Sequence, residues 1–325
     1  MLNLHRIAKR LTGTLTFLVG IVVVIGLAYT IPEVGVALDK HGVMRGAIMA
    51  VFLMSGLTIS LKHLGDDAVR WKCHLFIQSV SFGIIPLSLY FTSGWLPEGP
   101  MKYGVYLVAA VPTTIASCVI YTTAAGGRTP SAMINAVGGN LLGIVLSPLL
   151  LALMIGHSAE PGAVSAGKAV LDLCKVVLFP FLAGRLLGAV LPRLIGIIKP
   201  VQSRAAQLFV LLVIFCGFSK SAASSALVPA NAWLCFAYLA VAHMILVAAA
   251  ILGTRFLRFS REESIAAVFC STQKTLAMSA PLAASFFGDD VGLVLMPIIF
   301  YHLFQLTFGS ILIPLLGPRE TTTSK

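Results

Sequence analysis

The chain has 325 residues, of which 58% are hydrophobic and only 11% are charged. Soluble domains carry about 25% charged residues, and a soluble chain of this size cannot keep so many apolar side chains away from water. The formal charge of +11 is spread singly between apolar runs, without the basic stripe that is typical of nucleic-acid binding. These features exclude a soluble domain and predict no nucleic-acid partner.

Ten segments are apolar and long enough to be transmembrane helices, which need about 20 residues each. The first segment is too long for the apolar region of a typical signal peptide, so we interpret it as a retained helix. The loops are short and contain no linker or soluble domain. The sequence predicts one all-α polytopic membrane domain over 1–325, with spans near 14–31, 44–61, 74–95, 104–124, 132–156, 164–191, 203–222, 230–253, 262–286 and 291–316.

The Lys and Arg residues of the loops predict how the chain is oriented. With the N-terminus inside, 16 of them fall on the inner side and 5 on the outer side, the latter being Lys40, Arg45, Lys102, Lys168 and Lys220. Cytoplasmic loops collect Lys and Arg, and one span more or fewer would remove this asymmetry. We expect a multi-pass protein of the plasma (cell inner) membrane with both termini in the cytoplasm.

A repeated motif relates the two halves of the chain. GIVLSPLL at 143–150 lies towards the end of the fifth span and GSILIPLL at 309–316 ends the tenth, and the span before each is unusually polar. Because five helices per half is an odd number, the second half must enter the membrane the opposite way up. The sequence predicts two inverted five-helix repeats, 1–160 and 161–325, which are typical of transporters with a midplane site.

The fourth and ninth spans are interrupted by polar residues. Non-helical backbone is tolerated in a membrane only where protein or a watery cavity supplies partners, and the half-helix ends exposed there bind ions. A single Ser or Thr more often bonds to its own helix or glues helices together, but two clusters at matched positions favour a substrate or ion site. The candidates are Thr113, Thr114 and Ser117 beside Pro112, and Ser271, Thr272, Gln273, Lys274 and Thr275.

Lys274 lies near the middle of the ninth span, where a lysine costs about 2.5–3.5 kcal/mol. Of the acidic residues, only Asp172 is a candidate for a mid-membrane position, and it has Lys175 three residues further on. Four functional or structural interpretations stay open for Lys274. The first three are that the lysine pairs with an anionic substrate, that it replaces a bound cation and that it carries a proton. The fourth is purely structural: its side chain extends to the membrane interface or pairs with Asp172.

Three more polar side chains lie in the spans next to these clusters. Asn135 is in the fifth span, and His302 and Gln305 share one face of the tenth. A lone His on an apolar helix is more often a packing residue than a ligand, so the two amides are the stronger candidates. The pairs 66–67 and 289–290, all Asp, fall in predicted loops without a third ligand. We interpret them as solvated turns rather than metal sites.

At these residues the chain resembles the bile acid:sodium symporter superfamily, in its SBF-like branch. The resemblance implies a panel of helices 1, 2, 6 and 7 beside a core of helices 3–5 and 8–10. It also implies that helices 4 and 9 are discontinuous and cross near the substrate site. The segments that carry it are FLMSGLTISLKHL (52–64), VPTTIASCVIYTTAAGG (111–127), FCSTQKTLAMSAPLA (269–283) and YHLFQLTFGSILIPLL (301–316).

The resemblance also implies a sodium site, made by Ser117, Asn135 and Gln273, with no other cofactor. Two positions depart from the better-known branch of the superfamily. Phe269 stands where that branch has a sodium-binding glutamate, and Lys274 stands where it has an asparagine. Losing an anionic ligand and gaining a cation argue against sodium binding in the familiar manner.

These features together predict an alternating-access secondary transporter for a small organic anion, coupled to sodium or protons and surrounded by the lipid bilayer. The sequence contains no HExxH motif and no acidic metal cluster within a span, so we do not expect an enzyme. A non-transporting regulatory membrane protein and a sodium-independent carrier are the alternatives. The sequence carries no indication of an oligomeric state.

Overall fold

A computed structural model of the protein describes residues 16–17, 19–58, 67, 69–156, 166–198, 200–224, 229–230 and 232–317. Every regular element in these ranges is a helix, and they contain no strand. The first seven helices are α1 Val19–Thr30, α2 Pro32–Lys40, α3 Val43–Thr58, α4 Trp71–Thr92, α5 Pro100–Ala110, α6 Ala116–Ala124 and α7 Thr129–Ile155.

The second half of the described chain contains seven more helices and one short 3-10 turn, Gly288–Asp290. The first of these, α8, runs through Ala166–Leu173, Cys174–Leu178 and Phe179–Val190 without interruption. It is followed by α9 Pro192–Ile198, α10 Gln202–Ala223, α11 Ala232–Phe256, α12 Arg261–Thr272, α13 Leu276–Phe287 and α14 Val291–Leu316.

Six helical stretches of the described chain are long and apolar enough to cross a membrane, or seven if the bent pair α1 and α2 forms one span. The last of the six, Arg261–Leu316, comprises α12, α13 and α14. The predicted all-helical, multi-pass membrane class is therefore confirmed. The division into ten spans and two inverted halves stays a prediction.

Both polar spans are broken where the sequence indicates. The α5 helix ends at Ala110, and Val111 is extended, with ψ 153°. Pro112 follows Val111, and a proline pushes the preceding residue out of helical geometry and offers no N–H of its own. In the ninth span, Gln273 and Thr275 are extended, with ψ 146° and 130°, between α12 and α13.

Two features of the helices were not predicted. The first span does not end in a loop, because α1 turns by 96° into α2, which begins at Pro32 in the first helical position, where proline is favoured. In addition, α4 and α8 contain π-helical turns at Val80–Ile84 and Cys174–Leu178. Each turn lies two residues before a proline, Pro86 or Pro180, whose missing N–H interrupts the regular hydrogen-bond ladder.

The helices pack in two groups. One group contains α2, α3, α8 and α10, and the other contains α4 to α7 with α11 to α14. In the first group α3 and α8 touch backbone to backbone. A Cβ atom on Gly56 would lie 1.9 Å from the Phe181 carbonyl oxygen, and one on Gly184 would lie 2.0 Å from the Leu53 carbonyl oxygen. Glycine is therefore required at both positions.

Charged side chains join helix ends at the side predicted to be cytoplasmic. Asp67 is 1% exposed, and its carboxylate accepts hydrogen bonds from Arg128 and Ser131. The interpretation of Asp67 as a solvated turn was wrong, because folding brings to it a guanidinium and a hydroxyl that are more than 60 residues away in the chain. Asp66 lies outside the described residues. Asp289 and Asp290 are exposed, as predicted.

Candidate functional site

The two breaks meet in the interior of the protein. The backbone N–H of Thr275 donates to the carbonyl oxygen of Pro112 at 2.9 Å, and residues 111–114 and 271–276 are buried without exception. Around this point the half-helices α5 and α12 therefore end and the half-helices α6 and α13 begin. This point is the candidate functional site.

An amide side chain from the following long helix satisfies the backbone of each break. Asn140 of α7 donates from Nδ2 to the carbonyl oxygen of Thr113 at 2.9 Å. Gln305 of α14 accepts from the N–H of Lys274 at 2.7 Å and donates from Nε2 to the carbonyl oxygen of the same residue at 2.8 Å. Both breaks are thus held by protein groups, as buried non-helical backbone requires.

The matched glycines of the repeated motif lie against the broken helices. A Cβ atom on Gly143 would lie 2.8 Å from the ring of Pro112. One on Gly309 would lie 2.5 Å from the ring of Tyr121 and 3.4 Å from Nε2 of Gln273. The glycine of each motif has the same role: because it has no side chain, a long helix can pass close to the broken helices at this point.

A cluster of hydroxyls and one amide lies beside the crossing. Oε1 of Gln273 accepts from Ser117 at 2.7 Å and from Thr114 at 3.0 Å, and the two hydroxyl oxygens are 2.5 Å apart. Within the described chain, Nε2 of Gln273 and Oγ1 of Thr113 are buried without a hydrogen-bond partner. Unsatisfied buried polar atoms are rare and require an explanation. Bound water or a polar ligand would satisfy both.

The side chain of Lys274 is enclosed by carbonyl oxygens. It is 0% exposed, and its Nζ donates to the carbonyl oxygens of Ser81 at 2.8 Å, Val111 at 2.9 Å and Ala109 at 3.2 Å. An ammonium group has three N–H donors, so these acceptors occupy all of them. The ammonium therefore offers no donor to a substrate in this conformation.

These carbonyl groups are free to accept because of local backbone geometry. In the π turn of α4, the N–H of Ile85 donates to Val80 instead of Ser81, and the next residue, Pro86, has no N–H. The carbonyl oxygen of Ser81 is left without a helical donor. The other two carbonyl groups belong to the end of α5, where the helix ladder stops.

The predicted sodium trio is not brought together. Ser117 and Gln273 are in contact, but Asn135 is turned towards α4. Its Nδ2 lies 2.7 Å from Nδ1 of His74, and its Oδ1 accepts from Gln78 at 3.0 Å. The inclusion of Asn135 in this ligand set does not fit the structure, because its amide is held between two helices of the same half.

Other predicted residues contribute locally. The hydroxyls of Ser271 and Thr272 both bond to the carbonyl oxygen of Val268, at 3.4 and 2.7 Å, which is the ordinary behaviour of these residues inside a helix. Nδ1 of His302 lies 2.9 Å from Nε2 of Gln305, so this ring supports the amide that holds the second break.

Some residues of the site were missed by sequence reasoning. Tyr301 donates to the carbonyl oxygen of Thr272 at 2.8 Å, and Nδ1 of His243 lies 2.8 Å from the tyrosine oxygen. The position of Tyr301, one turn before Gln305, was a usable signal. Of the alternatives left open for Lys274, the pair with Asp172 is not formed, since Oδ1 of Asp172 lies 3.9 Å from Nζ of Lys175 and Nζ of Lys274 donates to backbone carbonyl oxygens.

Buried, crossed helix breaks inside a bundle of apolar helices define a multi-pass membrane protein with a polar interior site. Residues 16–317 match the SBF-like CPA transporter family. The chain belongs to this family of transporters, which confirms the resemblance found in the sequence.

Known proteins from bacteria and animals are similar to the chain over most of its length. The putative symporter YfeH of Escherichia coli is 29% identical over 275 residues, covering 82% of this chain and 81% of the relative. Sodium/bile acid cotransporter 7 of Rattus norvegicus is 28% identical over 317 residues, covering 92% and 91%. An uncharacterized protein of Pseudomonas aeruginosa is 31% identical over 272 residues, covering 81% and 80%.

Proposed function

We propose that this chain is an alternating-access secondary transporter for a small organic anion, coupled to sodium or protons. It is one membrane domain over 1–325 with ten spans in two inverted halves, 1–160 and 161–325. The single observation that carries the proposal is the crossing of the two breaks, joined by the bond from Thr275 to Pro112. Transporters with inverted repeats bind their substrates between discontinuous helices of this kind.

In this proposal the ten spans are assigned to helices of the structure. The fourth span is α5 with α6, and the ninth is α12 with α13. Support for two related halves comes from the second half repeating three features of the first: a break, an amide that satisfies it and a glycine beside it. In this arrangement α1, α2, α3, α8 and α10 are the panel, and α4 to α7 with α11 to α14 are the core.

The charge and the donors at the crossing favour an anion. The helices α6 and α13 begin there, and helix N-termini attract negative charge. Lys274, whose Nζ donates to three carbonyl oxygens as an ammonium can, adds a buried positive charge, and among the described residues Nε2 of Gln273 is a donor without a partner. The names of the animal relatives, sodium/bile acid cotransporters, support an organic anion as the class of substrate.

Apolar crevices between panel and core supply a place for the body of such a solute. One is lined by Ile115 and Asn140 beside the first break, with Phe52 and Phe181 opposite. The other is lined by Leu276 beside the second break. Each has a cavity volume of only about 10 Å³, far less than the roughly 300–1,000 Å³ of ligand pockets. The panel and the core must therefore separate to admit a solute, as alternating access requires.

The coupling ion is sodium or the proton. Hydroxyl and amide oxygens of Thr114, Ser117 and Gln273 form a neutral cluster that suits a sodium ion, although it contains no carboxylate. Lys274 favours coupling to protons, or a sodium-independent carrier, because its ammonium already supplies beside the crossing the positive charge that a sodium ion would bring. Placement in the plasma membrane with cytoplasmic termini is supported by the distribution of Lys and Arg.

Thermal unfolding of the purified protein with a panel of organic anions, in sodium and in choline buffers, tests this proposal. We expect at least one anion to raise the Tm of the wild type and to lose its effect in Gln273→Leu. Gln202→Leu, which removes an amide at the start of α10, is the matched control and keeps the effect. Stabilisation that requires sodium would favour sodium coupling. If no anion stabilises the wild type in either buffer, the proposed substrate class is wrong.

A non-transporting regulatory membrane protein is the second candidate. It would be favoured by an anion that stabilises the protein without any flux across a membrane.

A further inference from the structure

We infer that the ammonium of Lys274 occupies a binding site for a monovalent cation, so that the protein carries a covalently attached cation at this position. The site consists of the carbonyl oxygens of Ser81, Ala109 and Val111, and it is called the carbonyl site below. The existence of the site stands on its geometry alone. Its consequence for coupling, that a protein with this built-in charge uses protons or no coupling ion, rests on the proposed function.

The ligands of the carbonyl site are those of a cation site. Three carbonyl oxygens lie 2.8, 2.9 and 3.2 Å from Nζ of Lys274, and Oγ of Ser81 lies at 3.4 Å. The ammonium is 0% exposed, and its described partners include no carboxylate. Rings of backbone carbonyls replace the hydration shell of monovalent ions in channels, and unwound carbonyls at half-helix ends coordinate cations in transporters.

The other broken helix shows that a helix end at this crossing does not require an ammonium. The carbonyl oxygen of Thr272, at the end of α12, accepts from the neutral hydroxyl of Tyr301 at 2.8 Å. The two half-helix ends are therefore satisfied differently. A neutral donor is sufficient at one, and a full positive charge is placed at the other, on oxygens that two different elements supply.

The lysine backbone is fixed independently of its side chain. Both peptide groups of Lys274 are held by Gln305, so truncation of the side chain leaves the break in place. Truncation also leaves the three carbonyl oxygens facing a space of ammonium size. We expect a free monovalent cation to enter this space, with ammonium and potassium favoured over sodium, because the oxygens are spaced for a nitrogen centre.

The test is the Tm of purified Lys274→Ala in ammonium, potassium, sodium and choline chloride at equal ionic strength, without any substrate. The expected result is a rise of several degrees in ammonium or potassium relative to choline, in the variant alone. Wild type and Lys274→Met, whose side chain fills the space without a charge, are expected to show no such rise. Lys274→Ser, with a hydroxyl to meet the carbonyl groups, replaces the alanine variant if that variant does not fold.

An equal response of the truncated variants and the wild type to these cations would overturn the inference. So would failure of both truncated variants to fold in ammonium as well as in choline, because the carbonyl site would then not accept a free cation. Neither result bears on whether the wild type binds organic anions. Failure of this inference is therefore distinguishable from failure of the proposed function.

Discussion

At the scale of single residues, Gln305 holds both peptide groups of Lys274. Its Oε1 accepts from the N–H of Lys274, and its Nε2 donates to the carbonyl oxygen of Lys274 and approaches His302 at 2.9 Å. Both protons of the amide are used. The sequence located Gln305 next to the second break and on one face with His302, but the backbone atoms of Lys274 that Gln305 bonds to have no signature in a sequence.

Replacing Gln305 by Leu is expected to destabilise the protein by about 2–4 kcal/mol. The change leaves the N–H and the carbonyl group of Lys274 buried without partners, and each such group costs about 1–3 kcal/mol. Chemical or thermal unfolding in detergent measures the effect. Thr307→Ala, at an exposed position of the same helix, is the control and should change stability by less than about 0.5 kcal/mol. Equal effects of the two changes would contradict the role of Gln305.

Asp67 gives a second prediction at this scale. Its carboxylate is buried and bonded to Arg128 and Ser131. Asp67→Asn is expected to destabilise the protein by about 2 kcal/mol, because the charge-assisted hydrogen bond from Arg128 is weakened. The loss is limited because the Arg128 side chain is 28% exposed and stays partly hydrated. Unfolding of Asp67→Asn is compared with that of Asp290→Asn, which changes an exposed carboxylate and should have little effect. A larger effect at Asp290 would contradict the structure.

The surroundings of a residue could be predicted where they depend on residues nearby in the sequence, and could not be predicted where they depend on residues that only folding brings together. The sequence indicated that Lys274 has no obvious carboxylate partner, because Asp172 was the one candidate and Lys175 lies three residues from it. The burial of Asp67 could not be read, since Arg128 and Ser131, which donate to its carboxylate, are more than 60 residues away in the chain. The same holds for Asn135, whose amide is engaged by His74 and Gln78 rather than by the predicted ligand set.

At the scale of elements, the two breaks could be predicted because their cause is compositional. Pro112 and the adjacent hydroxyls interrupt an apolar run, and the cluster around Gln273 does the same. The bend between α1 and α2 and the π turns in α4 and α8 could not be predicted. A proline near a helix end is compatible with a kink, a cap or a wide turn, and packing decides among them.

The matched glycines give a prediction for the broken elements. Gly143→Ala is expected to lower the Tm and to weaken anion binding, because its Cβ would lie 2.8 Å from the ring of Pro112. Gly138→Ala on the same helix is the control, since a Cβ there meets nothing within 4 Å. This control should be neutral or stabilising by up to about 1 kcal/mol, as for Gly replaced by Ala within a helix.

Gly309→Ala is expected to act like Gly143→Ala, since its Cβ would lie 2.5 Å from the ring of Tyr121. Thermal unfolding and anion titration of all three variants give the comparison. If Gly138→Ala is as harmful as the other two, close approach at the crossing is not the reason for these glycines.

At the scale of the whole molecule, the structure has the features of a closed conformation. The crevices between the two helix groups each have a cavity volume of only about 10 Å³. At the side predicted to be outer, Nζ of Lys220 on α10 lies 3.3 Å from Asp39 of α2 and 3.9 Å from Asp289, which precedes α14. Ser221 adds a hydrogen bond to the carbonyl oxygen of Asp289 at 2.9 Å. Opening on this side must separate α10 from α14.

Whether the protein moves a solute across the membrane can be measured by counterflow in proteoliposomes. Vesicles containing the purified protein are loaded with an organic anion that raises its Tm and are then diluted into a trace of the same anion in labelled form. We expect transient accumulation of label by the wild type, strongly reduced in Gln273→Leu and unchanged in Gln202→Leu. Binding of the anion without any accumulation by the wild type would rule out transport and would identify a non-transporting membrane protein.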